Sequence, residues 1–94
     1  MFSQIAVDLN KVKKDELDNV ILRAAIIGEM DAINLYEQMA ALTDNEDIRK
    51  VMLDIAKEEK THVGELQTML LRLDQEQAQE LEQGKKEVQE LTGK

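Results

Sequence analysis

The 94-residue chain has no cysteine, no proline and no tryptophan, and its only aromatic residues are Phe2 and Tyr36. Without cysteine there is no disulfide framework and no thiolate metal site, which excludes zinc fingers and iron–sulfur clusters. Basic residues are outnumbered 12 to 20 by acidic ones, for a net charge of -8. That sign is wrong for gripping nucleic-acid phosphates and right for attracting cations. Charge interrupts every apolar run too soon for a membrane span. Residues 1–14 lack the charged, then apolar, then small layout of a secretory signal. The expectation is a soluble cytoplasmic protein.

What remains is dominated by Ala, Leu, Ile, Glu, Gln and Lys, strong helix formers that predict an all-α fold. At this length the chain is one small domain spanning 1–94, in the range where a single chain struggles to bury enough apolar surface. Residues 1–14 show no sustained period and read as an N-terminal arm. Asp15, with Asp18 three residues on, predicts the start of a first helix over 15–41. Thr43, Asp44 and Asn45 mark a turn, with Thr43 or Asp44 as the cap of a second helix over 44–72. Asp74 restarts the chain into a short polar third helix expected to stop at Gly84, within a C-terminal helix and tail over 74–94. Two helices of some 27 residues joined by so short a turn form an antiparallel hairpin. A hairpin is half of a four-helix bundle.

At about 100° per residue the first helix carries two apolar stripes. Leu17, Val20, Ile21, Ala24, Ile27, Leu35 and Leu42 form one. Leu22, Ala25, Ile26, Ile33, Tyr36 and Ala40 form the other, with Glu29 in its midst. One stripe packs on the second helix; the other, expected to be the stripe holding Glu29, needs a partner chain, because its exposure would invite aggregation. The second helix has one wide apolar face, including Ile48, Val51, Ile55, Val63, Leu66 and Met69, and in its centre stand Glu59 and His62. Gly64 and Gly28 suggest close approach of another element, since glycine lowers helix propensity by roughly 1 kcal/mol relative to alanine.

Carboxylates on apolar faces need compensation, by a basic partner, a hydrogen-bond network or a metal ion. Arg23, Arg49, Lys57 and Lys60 fall on other faces, so a basic partner is poorly supplied. Glu59 and His62 are three apart and project to one point, the Glu-x-x-His spacing by which a helix lends a carboxylate and an imidazole to one ion. Alone the spacing is weak: Glu fills 12 of 94 positions, so the single His would have a Glu three places before it about one time in eight. Its position on an apolar face, with Glu29 on the neighbouring helix, makes it more specific. Dinuclear iron bundles take a Glu from each of two helices and a Glu-x-x-His from each of the other two. This chain holds one of each, so two chains related by a two-fold axis complete one site. Carboxylate-rich ligation with one imidazole per ion suits iron, with manganese as the alternative. The absence of a His-Glu-x-x-His motif argues against a zinc hydrolase. Tyr36, on the same face as Glu29, is a candidate hydrogen-bonding or radical-quenching neighbour, or else an aromatic filler.

The segment Ile27-Gly28-Glu29-Met30-Asp31-Ala32-Ile33-Asn34-Leu35-Tyr36, followed by Glu58-Glu59-Lys60-Thr61-His62, resembles the encapsulated ferritins, short ferritin-like proteins of encapsulin nanocompartments. The resemblance covers residues 21–73, and the ending Glu90-Leu91-Thr92-Gly93 is similar to archaeal members fused ahead of the shell protein. It implies a ferroxidase that oxidises Fe(II) with oxygen at a di-iron centre across a homodimer interface, with Glu29, Glu59 and His62 as metal ligands from both chains. It also implies assembly into an annular decamer, delivery of iron for storage, and an encapsulin shell protein as partner, inside that compartment. Gly28 stands where several members have an acid that guides cations together with the position of Asp31, which leaves Asp31 as a weak accessory candidate. Leu35 stands where a Trp is frequent, and the short apolar tail of free cargo proteins is not seen. Two other readings remain: a rubrerythrin- or bacterioferritin-like peroxide scavenger with its whole site in one chain, and a non-catalytic helical oligomerisation module.

Overall fold

The computed structural model describes residues 9–94; the expected arm at 1–14 lies mostly outside them. Two short 3-10 turns, Leu9–Lys11 and Lys14–Glu16, lead into three helices: α1 (Leu17–Leu42), α2 (Glu46–Leu73) and α3 (Gln75–Thr92). The architecture is all-α, as the composition predicts. Asp15 does not cap α1. It lies within the second 3-10 turn, and Glu16 takes the cap position without a side-chain cap bond.

The α1–α2 corner is built by hydrogen bonds rather than burial. Asn45, not Thr43 or Asp44, is the cap of α2: its Oδ1 accepts from the backbone N–H of Asp47 at 2.9 Å and of Ile48 at 3.1 Å. Two of the four orphan donors of the helix start are thereby satisfied. Thr43 Oγ1 accepts from the Asn45 N–H at 3.1 Å, which orients the cap. Arg49 donates to the carbonyl of Ala40 at 3.0 Å and also reaches the carbonyl of Thr43 and the carboxylate of Glu46, tying the end of α1 to the start of α2.

The core between the two long helices is mostly alanine. Ala32, Ile33 and Ala40 of α1 and Ala56 and Leu70 of α2 are its buried residues. Small side chains at a helix–helix contact let the two backbones approach. Ile33 and Ala40 belong to the stripe that holds Glu29, so this stripe faces α2 of the same chain. The expectation that this whole stripe awaits a partner is therefore corrected: part of it packs on α2, its Ala25, Glu29 and Tyr36 edge opens on a groove, and in the other stripe Ile21 is 51% exposed, Ile27 47% and Leu42 83%. Both stripes are apolar, and periodicity alone does not say which one α2 takes. Gly64 is likewise no point of close approach within the chain, since a Cβ there would meet nothing within 4 Å.

At the second corner one residue, Asp74, with φ -119° and ψ 91°, breaks the helical run. Its Oδ1 caps α3 by accepting from the Gln77 N–H at 3.0 Å, and its Oδ2 pairs with Arg23 of α1 at 3.0 Å. Contrary to the expected stop at Gly84, α3 continues to Thr92 and ends at Gly93, whose φ of 76° is left-handed. Glutamine, glutamate and lysine on either side of Gly84 favour helix enough to carry the chain through a single glycine. The molecule measures 46 × 43 × 19 Å. A two-helix layer is only about 20 Å wide at 10 Å per helix, so the second long dimension requires α3 to project sideways rather than fold back as a third bundle helix.

Candidate metal centre

Glu29 in the middle of α1 and Glu59 and His62 in the middle of α2 meet across the hairpin. Antiparallel packing brings the midpoints of the two helices level, and the i, i+3 spacing on α2 stacks Glu59 and His62 on one side. Nδ1 of His62 stands 3.3 Å from Glu59 Oε2 and 3.4 Å from Glu29 Oε2. One donor atom from each of the three lies within 4.8 Å of the others, the spacing that one bound cation needs.

The positive charges nearby are engaged elsewhere. Arg23 pairs with Asp74, Arg49 with Glu46, and Lys60 with Glu37 at 3.0 Å. Glu29 Oε2 is buried and accepts no hydrogen bond. A buried carboxylate oxygen without a hydrogen-bond donor is costly, and with only the His62 imidazole turned toward it at 3.4 Å, a metal cation is a compensation that this donor set fits. Two carboxylates and one imidazole are a hard, oxygen-rich set of the kind that suits iron or manganese.

The site is more open than apolar-face placement predicts. The side chains of Glu59, Glu29 and His62 are 19%, 27% and 48% exposed. A groove of about 350 Å³ lined by Ala25, Gly28, Glu29, Ala32, Tyr36 and Glu59 opens beside them. Tyr36 thus lines the same groove as two of the three donor residues. Asp31 does not join the group. Around α2, Ile48, Val51, Met69 and Leu73 fall within about 40° of His62 at 100° per residue, and all four are 44–55% exposed. The three donor residues therefore sit in a strip of uncovered apolar surface.

Glu65 went unnoticed in the sequence. It lines another, smaller cleft with Glu29, His62 and Leu66. The only signal was its place three residues past His62, which in so glutamate-rich a chain carries little weight.

Among the described residues no helix is long and apolar enough to cross a membrane. The rubrerythrin family model matches residues 20–93. The chain is 60% identical over 80 residues to a ferritin-like–encapsulin shell fusion protein of Pyrococcus furiosus, covering 85% of this chain and 23% of that protein. It is 40% identical over 57 residues to the encapsulin nanocompartment cargo protein EncC of Myxococcus xanthus, covering 61% of this chain and 44% of that one. The chain thus spans less than half the length of these curated relatives. The crystal structure of the encapsulated ferritin domain from Pyrococcus furiosus matches with a TM-score of 0.85 at 48% identity, covering 97% of this chain and 98% of that one. With its hairpin, its Glu and Glu-x-x-His donors and these similarities, the chain belongs to the rubrerythrin family, and its likeness within that family is to encapsulated ferritin domains.

Proposed function

We propose that this chain is one half of a ferroxidase. Two copies pack through the apolar strip around His62 and the groove beside Glu29, making a four-helix bundle in which Glu29, Glu59 and His62 of both chains hold two iron ions. The observation that carries this reading is the convergence of three donors on a buried oxygen of Glu29 that has no hydrogen-bond partner. Because the donors come from one Glu and one Glu-x-x-His, a single chain has half of what a dinuclear bundle site uses, and the exposed strip is what a two-fold partner covers.

Fe(II) is the substrate, and when bound it gives electrons to dioxygen. Glu29 and Glu59 supply the anionic oxygens that favour the more highly charged Fe(III), and His62 supplies a neutral donor. Tyr36 stands beside the ligands as a hydrogen-bonding or radical-quenching group. The product is ferric iron for storage. The names of the relatives, a shell fusion and a nanocompartment cargo protein, support an encapsulin shell as the partner and its lumen as the place of work. An annular decamer is the higher assembly expected from the same resemblance. Manganese is the other metal that this donor set accepts.

The test is an anaerobic Fe(II) titration with sedimentation analysis, followed by exposure to air. One iron per chain in a dimer or a multiple of it, rapid ferric absorbance with oxygen, and loss of both in His62→Ala support the reading. A monomer holding two irons, reacting faster with peroxide than with oxygen, would instead favour a peroxide scavenger of the rubrerythrin type. An intact oligomer that binds no iron leaves a structural module.

A further inference from the structure

Glu59, His62 and Glu65 climb α2 in two equal steps of three residues, so each stands about 4.5 Å above the last and about 60° to one side. Helical side chains lean toward the N-terminus, which carries the Glu65 carboxylate over the turn that bears His62. In the single chain Glu65 is exposed, about 60° around α2 from His62 and so at the edge of the strip that a second copy would cover, and it borders a cleft of about 200 Å³ whose other walls are Glu29, His62 and Leu66. This cleft is distinct from the larger groove lined by Glu29, Glu59 and Tyr36. Glu29, whose buried Oε2 lacks a hydrogen-bond partner, is the one residue common to both. Among the described residues Glu65 makes no hydrogen bond or ion pair, so its charge has no structural task within the chain.

We propose that Glu65 is an outer carboxylate of the centre, which receives a divalent cation from solvent at the mouth of the cleft and passes it inward to Glu29, Glu59 and His62. The proposal rests on the reading of those three residues as metal ligands. A hydrated cation sheds its water in stages, and a carboxylate at the opening replaces the first of those waters while drawing the ion in by charge. The half-exposed imidazole of His62 lies between Glu65 and the inner carboxylates. An ion held at Glu65 therefore meets a neutral donor next, and then two anionic ones.

The test uses the whole chain with Co(II), which does not react with oxygen under these conditions and reports its ligands by visible absorbance. Stopped-flow mixing is run on the wild type, on Glu65→Gln, which keeps the side-chain shape, and on Glu80→Gln, an exposed charge on α3. Loss of one charge facing a divalent ion slows association by about three- to tenfold. The expectation is that slowing in Glu65→Gln alone, with less salt dependence, and an unchanged final spectrum and Co(II) content per chain. Equal rates in all three proteins overturn the proposal and leave the inner site standing. A lower Co(II) content or an altered spectrum in Glu65→Gln also overturns it, because Glu65 is then a permanent ligand. A wild type that binds no Co(II) brings down both this proposal and the metal reading beneath it.

Discussion

Glu29 and His62 belong to different helices, yet a carboxylate oxygen of the first stands 3.4 Å from an imidazole nitrogen of the second, and that same oxygen accepts no hydrogen bond. Binding and stability are opposed at such a point. A buried polar atom without a hydrogen-bond donor is a burden that a bound cation would relieve.

Glu29→Leu is accordingly expected to leave the metal-free protein as stable as the wild type, or more stable by about 1 kcal/mol. It is also expected to abolish stabilisation by Mn(II) or Co(II). For the wild type, metal at a hundred times its dissociation constant adds about 2.7 kcal/mol. Melting curves with chelator and with metal, at one fixed chain concentration, separate the two effects. A metal-free variant that melts far below the wild type would show that Glu29 has a structural partner instead.

Asn45 satisfies two backbone donors at the start of α2. Asn45→Ala removes both bonds and is expected to cost about 1 kcal/mol, while Asn45→Asp and Asn45→Ser retain most of the stability. Urea unfolding of the three variants reads the ranking directly.

Asp74 combines two roles, as the cap of α3 and as the partner of Arg23. Arg23 is 45% exposed, and a pair so open to solvent contributes less than about 1 kcal/mol. Arg23→Ala is therefore expected to change stability little, and Asp74→Asn, which keeps the cap, nearly as little. Asp74→Ala is expected to cost about 1 kcal/mol more than Asp74→Asn. Hydrogen exchange across residues 75–92 shows whether the loss is confined to α3.

Gly84 lies inside α3, and a Cβ added there would meet nothing within 4 Å. Gly84→Ala is thus expected to stabilise α3 by about 0.5–1 kcal/mol, through lower entropy of the unfolded chain. Slower amide exchange in the following turn is the observable.

Much of the fold was legible because its punctuation is local. Asp74 stands where capping chemistry belongs, and the hairpin follows from a turn too short for any other path, although within that turn Thr43 and Asp44 read as the cap that Asn45 supplies. Other features were not. Gly84 reads as a stop, but one glycine weakens a helix without ending it when its neighbours favour helix. Which stripe of α1 meets α2 depends on how closely small residues such as Ala32, Ala40 and Ala56, all buried, let the helices approach, a matter of shape that periodicity does not encode. The three-residue donor set was found through polar groups on apolar faces, whereas Glu65 escaped because an exposed glutamate breaks no pattern.

The sideways course of α3 has a geometric consequence. At 1.5 Å per residue its 18 residues form a rod of about 27 Å, fastened to the hairpin at its base by Asp74. Such a rod sets phase as well as reach. Removing one residue turns everything beyond the cut by about 100° around the axis, whereas removing seven shortens the rod by about 10 Å and nearly restores the original heading. Whatever Val88 and Leu91 meet, 55% and 86% exposed on the outer half of α3, is met at a bearing counted in residues from Asp74.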